Sequence, residues 1–98
     1  MTRDEIITEL RAEAERMKSN GATSLFMYGS RARGDNKPDS DLDLFMDYDP
    51  TKVRSYLDFL TISLDLQDRL GFEVHLAGRD DLHPLIKKDV EVQAVRVF

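Results

Sequence analysis

The spacing of apolar residues predicts a helix at the start of this 98-residue chain, at about residues 3 to 19. Thr2 followed three residues later by Glu5 matches a capping box at its beginning, and Asn20-Gly21 supplies a stop at its end. The apolar positions that repeat at helical spacing between these signals are Ile7, Leu10, Ala14 and Met17.

Two strands are predicted next, at about residues 23 to 28 and 41 to 47. The first is a short apolar run that leads into the loop Gly29-Ser30-Arg31-Ala32-Arg33-Gly34. The second alternates, so that one of its faces is apolar and the other is acidic. Its apolar positions are Leu42, Leu44 and Met46, and its acidic positions are Asp41, Asp43 and Asp47.

The longest helix is predicted to begin after Asp49-Pro50, a good N-cap followed by proline at the first helical position, and to end near Gly71. It carries two apolar stripes, one of which must cover the sheet. The other either packs against the first helix or the C-terminal segment, or forms a surface for a partner protein. The first stripe is Val53, Tyr56, Leu57, Leu60 and Leu64; the second, our candidate docking surface, is Phe59, Ile62, Leu66 and Leu70.

The last third of the chain predicts a strand, a short helix near residues 84 to 91, and a short edge strand at Val95-Arg96-Val97. In the first of these, Phe72, Val74 and Leu76 alternate with Glu73, His75 and Ala77. The resulting order, α-β-β-α-β-α-β, indicates an α/β (α+β) protein with a small mixed sheet of about four strands and helices packed on it. The long helix permits a parallel crossover between the second and third strands.

Size and charge restrict the classes of function. A chain of 98 residues is expected to form one domain, 1–98, because two separate cores would each be too small to be stable. A formal net charge of −5 disfavours direct DNA binding and anionic membrane surfaces. The chain contains no cysteine, no signal-peptide pattern and no apolar run of membrane-spanning length, so we expect a cytoplasmic protein.

The glycine-rich loop and the acidic strand together favour a nucleoside triphosphate as ligand. Asp41 and Asp43 are expected on one face of a strand, and such hard oxygen ligands select Mg²⁺ or Mn²⁺. Gly29 permits a left-handed turn or a close approach of the backbone, and Ser30 adds a hydroxyl and an N–H group. The basic side chains expected to offset triphosphate charge are those of Arg31, Arg33 and Lys37.

Other readings of the acidic segment are weaker. The acidic segment does not match a calcium-binding loop. Such a loop requires glycine at the position of Leu44, and a bidentate acidic ligand at the position of Pro50. The chain also lacks both the P-loop and the Gly-x-Gly-x-x-Gly patterns of other phosphate-binding proteins. The alternative without a binding function is that the acidic residues only make one edge of the protein soluble.

The run from Tyr28 to Leu44 resembles the signature of the minimal nucleotidyltransferase (MNT) family within the DNA polymerase β superfamily. The resemblance implies that Gly29 and Ser30 grip the triphosphate of ATP, and that Asp41 and Asp43 hold Mg²⁺. Arg33 matches the arginine of the motif, whose role is partly structural.

The chain departs from the family pattern at His75, where the family carries a third carboxylate on the strand after the long helix. An imidazole can bind a metal or act as a base, but it lacks the negative charge that attracts a second ion. Glu73 lies on the same face two residues earlier, and an offset of about 6.5 to 7 Å is large for metal geometry. His75 is therefore either a catalytic residue or a surface histidine in a degenerate site.

The resulting expectation is transfer of AMP from ATP to a hydroxyl of a partner macromolecule. The resemblance implies the antitoxin of a toxin–antitoxin pair, in which the MNT protein adenylylates a tyrosine of a HEPN-domain ribonuclease. A second hypothesis is a catalytically impaired, binding-only antitoxin or regulatory subunit, because His75 replaces the acid. A third, transfer to a small molecule such as an aminoglycoside, is less favoured because the chain offers no acceptor domain.

Overall fold

The computed structural model describes residues 1–98 and contains one four-stranded mixed sheet in the order β3-β2-β1-β4. Strand β1 pairs antiparallel with both β2 and β4, whereas β2 and β3 are parallel. The predicted mixed sheet, the parallel crossover and the short edge strand are confirmed. The elements in chain order are α1 (Arg3–Ala12), α2 (Ala14–Ser19), β1 (Ala22–Tyr28), α3 (Ser30–Arg33), β2 (Leu42–Tyr48), α4 (Tyr56–Leu70), β3 (Val74–Gly78), a 3₁₀ turn (Arg79–Asp81), α5 (Pro84–Gln93) and β4 (Val95–Arg96).

The helix predicted over residues 3 to 19 is divided into α1 and α2 at Glu13, whose φ of −95° and ψ of 2° lie outside the helical region. The predicted capping box of Thr2 and Glu5 is present. Glu13 turns its carboxylate toward α4, where Arg69 Nη1 lies 2.9 Å from Glu13 Oε1. The break lets α1 and α2 follow the surface of the sheet while an ion pair joins them to the long helix.

The predicted start of the long helix was wrong: α4 begins at Tyr56 and not after Pro50. The Asp49 carboxylate accepts hydrogen bonds from Thr51 N and Thr51 Oγ1, at 2.9 and 2.7 Å, and closes only a single turn. The true start is fixed by Asp58, whose carboxylate accepts from the N–H groups of Arg54 and Ser55. The sequence contains a helix-start pattern at Asp49 and another at Ser55. Only the second is followed, one turn later, by a carboxylate that accepts hydrogen bonds from the backbone N–H groups before the helix, that of Asp58.

The two stripes of α4 have the opposite roles to those we expected. Ile62 and Leu66 are 7% and 2% exposed and belong to the core, so the predicted docking surface was wrong. Phe59 and Leu70 pack against the same core. The apolar side chains that α4 leaves exposed are Tyr56, Leu57 and Leu64, at 75%, 67% and 50%; we call these three the α4 strip.

A side-chain hydrogen bond explains the rotation of α4. Gln67 Oε1 accepts from Val74 N of β3 at 3.2 Å, which turns the side of the helix that carries Gln67 toward the sheet. Ser63 is buried on the same side, and its hydroxyl donates to Leu60 O at 3.0 Å. The polar residues that separate the stripes therefore face inward with their hydrogen bonds made, an arrangement that apolar periodicity alone does not reveal.

The sheet separates a core face from a polar face. Leu42, Leu44 and Met46 of β2 are fully buried in the core with residues from α1, α2 and α4. Side chains alternate along a strand, so Asp43, Phe45 and Asp47 project from the opposite face. No helix of the chain is both long enough and apolar enough to cross a bilayer.

Candidate active site

The turn after β1 brings the backbone of Gly29 against the carboxylate of Asp43. Gly29 has φ 77° and ψ −161°, a conformation that L side chains rarely adopt. A Cβ atom built at this position would overlap with Asp43 Oδ2. Glycine is thus required here both by the dihedral angle and by the close approach, and the predicted turn lies directly beside the predicted acid.

Ser30 begins the single helical turn α3, which Gly34 ends in the left-handed conformation. Arg33 N donates to Gly29 O at 3.1 Å, and Gly34 N donates to Ser30 O at 2.9 Å. These bonds hold the turn in a defined shape next to Asp43, which is the arrangement that a loop contacting phosphate needs.

Asp41, Asp43 and His75 lie together on the polar face of the sheet. Asp43 and His75 are direct neighbours across the parallel β2–β3 pair. Nδ1 of His75 is 3.8 Å from Asp43 Oδ1, and Nε2 is 3.6 Å from Asp41 Oδ2. Asp41 immediately precedes β2 instead of lying within it, yet both acids flank the same imidazole ring, so the sequence correctly predicted their common face.

Glu73 also reaches this cluster. Its Oε1 is 3.2 Å from His75 Nε2, although Glu73 lies one pleat earlier in the chain. Glu73 immediately precedes β3, and its long side chain spans the offset. Ligand atoms of Asp41, Glu73 and His75 all lie within 4.8 Å of one another. The offset between Glu73 and His75 along the strand, which we expected to be too large for a shared metal, is therefore spanned by the Glu73 side chain.

The site disfavours additional negative charge. Burial raises the pKa of Asp43, and nearby Asp41 raises it further, while His75 and Arg33 act in the lowering direction. Burial also raises the pKa of the Tyr28 hydroxyl, with the Asp43 charge as the second cause. Tyr28 is the β1 neighbour of Asp43. A cation placed between the aspartates would relieve this repulsion, and carboxylate oxygens with partly exposed side chains fit a hard divalent ion.

The three basic residues expected to meet a triphosphate differ in the structure. Arg31 is only 2% exposed, and its guanidinium donates to Ser40 O and Pro38 O at 2.8 and 3.1 Å. It also stacks 4.0 Å from the ring centroid of Phe72. Arg31 therefore secures the loop that leads into Asp41, and its buried guanidinium is already engaged by backbone carbonyls, so it is not exposed to neutralise a triphosphate by direct contact.

Arg33 remains available at the surface. It is exposed, and its Nε donates to Asp35 Oδ2 at 3.1 Å in a solvent-accessible pair. Such a pair is weak, and a phosphate group could displace the carboxylate. Lys37 is exposed in the same loop.

Arg79 is an organising residue that sequence reasoning missed. Its Nε and Nη2 donate to the two oxygens of Asp47 at 2.7 and 3.0 Å, and its Nη1 donates to Glu91 of α5 at 2.8 Å. The guanidinium also lies 4.7 and 5.1 Å from the ring centroids of Phe26 and Phe45. The hydrogen bonds to Asp47 and Glu91 raise the pKa of Arg79 above its usual range, and the bond to Glu91 fastens α5 to the polar face. No local pattern in the sequence marks an arginine for this role.

A groove of about 380 Å³ runs between α4 and β3 and reaches the cluster at Glu73 and His75. Tyr56, Leu60 and Leu64 line its α4 side. A larger cavity of about 470 Å³, between α2 and α4, contains none of the candidate site residues. The smaller groove is therefore the one that connects the surface of α4 with the site.

Comparisons with known proteins agree with this geometry. Residues 7–97 match the model of the nucleotidyltransferase domain family. The protein adenylyltransferase MntA of Thermococcus cleftensis is 31% identical over 98 residues, which cover 99% of this chain and 97% of MntA.

Two solved structures have the same fold. A candidate minimal nucleotidyltransferase aligns with a TM-score of 0.80 and 28% identity, covering 97% of this chain and 95% of its own. A toxin–antitoxin crystal structure with AMP-PNP aligns with a TM-score of 0.74 over 90% of this chain and 72% of its own; at 14% identity it supports the fold alone. The chain therefore belongs to the nucleotidyltransferase domain family and is a homologue of the minimal nucleotidyltransferases.

Proposed function

We propose that this protein transfers AMP from ATP to a hydroxyl group of a partner protein. The observation that carries the proposal is the contact between the Gly29 turn and the Asp43 carboxylate, with Asp41 beside it. A loop suited to phosphate thus contacts one of two neighbouring acids that are suited to Mg²⁺ or Mn²⁺. The relative MntA, which matches nearly the whole chain, is named as a protein adenylyltransferase.

In the proposed reaction the acceptor hydroxyl loses its proton to solvent as its oxygen bonds to the α-phosphorus of ATP, and the bond from that phosphorus to the departing pyrophosphate breaks. Gly29 lets the backbone approach the phosphates, Ser30 offers its hydroxyl to them, and Arg33 neutralises part of their charge. Asp41 and Asp43 would hold the Mg²⁺, which supplies positive charge that stabilises the transition state. The chain's own contribution is the positioning of these groups.

We further propose a HEPN-domain toxin as the acceptor protein. A structural neighbour is a toxin–antitoxin pair crystallised with AMP-PNP, an ATP analogue. The net charge of −5 suits a ribonuclease, whose surface must attract RNA. The α4 strip lies beside the groove that ends at Glu73 and His75, so a protein docked there could direct a hydroxyl into the site.

A binding-only antitoxin is the second candidate, and His75 is the observation that favours it. Where the family places a carboxylate, this chain has an imidazole with its side chain half exposed between two aspartates. Loss of that negative charge weakens a carboxylate site for two ions. Neutralisation of the toxin would then depend on docking alone.

One labelling experiment separates the two functions. The protein is incubated with the proposed HEPN-domain partner, ATP labelled on the α-phosphate, and Mg²⁺. We expect label on the partner with the wild type, and none when Asp41→Asn and Asp43→Asn are combined. Asp39→Asn is the matched control, because this exposed acid lies in the same loop. Neutralisation that survives the double change, without label transfer, would instead establish the binding-only function.

A further inference from the structure

The imidazole of His75 presents its two nitrogens to different acids. Nδ1 faces Asp43 at 3.8 Å, whereas Nε2 faces Asp41 at 3.6 Å and Glu73 at 3.2 Å. Asp41, Glu73 and His75 form the group whose ligand atoms converge within 4.8 Å, and Asp43 is not part of it. The polar face thus has two adjacent regions: oxygen donors beside the Gly29 turn, and a mixed nitrogen and oxygen set on the far side of the ring.

The separations from the imidazole nitrogen in the mixed set are close to those around one metal ion. Donor atoms about 2.1 Å from an ion stand about 3.0 Å apart at right angles and about 3.4 Å apart at tetrahedral angles. The distance from Nε2 to Glu73, 3.2 Å, lies within that range, and the distance to Asp41, 3.6 Å, lies slightly above it. All three side chains are at least 42% exposed, so an ion and its remaining water ligands have access from solvent.

We infer that Asp41, Glu73 and His75 form a site for a divalent transition-metal ion, represented by Mn²⁺, which the site prefers over Mg²⁺. Two carboxylates and one imidazole are a donor set typical of first-row transition metals, whereas Mg²⁺ favours oxygen ligands alone. The ion lies at Nε2, not at Nδ1, which faces Asp43. The site binds its ion without nucleotide and does not depend on the proposed transfer reaction.

A protonated imidazole among three acids would give similar distances without any ion. Metal binding separates the two arrangements, because only a coordinated nitrogen couples to the unpaired electrons of Mn²⁺. The chain contains two histidines, and the second is occupied elsewhere. Nδ1 of His83 accepts from Leu85 N at the start of α5, so His83→Asn, which keeps a good N-cap, is a matched control.

The experiment titrates Mn²⁺ into the metal-free protein in the presence of a large excess of Mg²⁺, without nucleotide. Free Mn²⁺ is followed by electron paramagnetic resonance, and bound Mn²⁺ is examined for ¹⁴N coupling in a spin-echo measurement. We expect one bound Mn²⁺ per chain with coupling from one nitrogen. The coupling should vanish in His75→Asp and persist in His83→Asn. Failure of Mn²⁺ to bind against Mg²⁺, or coupling that survives His75→Asp, would overturn the inference.

Further variants locate the ion and guard against unfolding. Glu73→Gln should weaken Mn²⁺ binding about tenfold while the nitrogen coupling remains, because one charged ligand is lost. Asp43→Asn should leave both binding and coupling in place; the reverse pattern would move the ion to Nδ1 and refute the assignment. Circular dichroism of each variant confirms the fold. Absence of AMP transfer by the wild-type protein, with its nitrogen-coupled Mn²⁺ intact, would refute the proposed function alone.

Discussion

Gly29 and Asp43 occupy complementary positions: the space that a side chain at residue 29 would need is filled by the Asp43 carboxylate. The two residues are separated by fourteen positions in the chain and meet because the β1–β2 pair places Tyr28 opposite Asp43. This contact joins the glycine turn to the acidic strand. A variant that disrupts the contact therefore tests whether the turn and the strand form one site.

Gly29→Ala should abolish AMP transfer, because the new methyl group displaces the Asp43 carboxylate. Gly34→Ala is the matched control, since Gly34 also has a positive φ, of 84°, but no atom lies within 4 Å of a Cβ built there. The control should lose about 1 kcal/mol of stability from the dihedral angle and retain transfer. Equal activities for the two variants, measured with labelled ATP, would show that the close approach to Asp43 is irrelevant.

Asp43→Asn should raise the melting temperature of the metal-free protein at neutral pH. The pKa of Asp43 is raised in the fold, chiefly by burial, so its ionised form costs stability. That cost is absent below the unfolded pKa, grows as the pH rises from the unfolded to the folded pKa, and is fully present above the folded one. The advantage of the variant should therefore shrink as the pH falls toward 4, as followed by thermal unfolding. A variant that melts lower than the wild type at pH 7 would contradict this.

Replacing Arg31 or Arg33 with methionine should show that Arg31 contributes to the stability of the fold and Arg33 to the binding of ATP. Arg31→Met removes two hydrogen bonds to the loop before Asp41 and should cost about 2 kcal/mol of stability. Arg33→Met removes only an exposed ion pair, so stability should change by less than about 0.5 kcal/mol. Urea unfolding gives the first quantity, and ATP titration should show weaker binding in Arg33→Met. Similar unfolding curves for both variants would refute the structural role of Arg31.

Leu57→Asp combined with Leu64→Asp should prevent formation of the partner complex and leave the domain folded. Leu64 lines the groove, and Leu57 is exposed on the same α4 strip. Leu85→Asp is the matched control, because Leu85 is still more exposed and lies on a different helix, α5. Size-exclusion chromatography with the partner should show the complex for the control and not for the double variant. A retained complex would exclude the α4 strip as the docking surface.

Leu66→Asp tests the corrected orientation of α4. Leu66 is 2% exposed in the core, so a charge there should unfold the protein, with a loss of about 4 kcal/mol or more. Circular dichroism reports the outcome directly. A folded Leu66→Asp variant would mean that the buried and exposed stripes are wrongly assigned.

The sequence was sufficient where a feature depends on neighbours in the chain. Alternation along β2 places Asp41 and Asp43 on one face, and the glycine turn follows from a local pattern. It was insufficient for the rotation of α4, which depends on the hydrogen bond between Gln67 and Val74 N. Both stripes are apolar, so periodicity alone did not distinguish them.

Long-range polar contacts were equally hidden. Arg31 and Arg33 look alike in sequence, yet only Arg31 finds buried carbonyl acceptors. Arg79 binds Asp47, 32 positions earlier, and no periodic signal connects them. The contact of Glu73 with His75 was not predicted for a different reason. The spacing of residues along a strand determines where the Cα atom of Glu73 lies, but not how far its flexible side chain reaches.

The parallel pairing of β2 with β3 has a consequence for how such a site can change. Asp43 and His75 face each other only because the connection through α4 has a length that aligns Leu42 with Val74. Shortening the connection by one residue would turn the histidine into the interior and bring a valine to the surface. The side chain that faces Asp43, and with it the metal preference that we infer, thus depends partly on the length of a distant helix and loop, so that an insertion or deletion far from the site would change it.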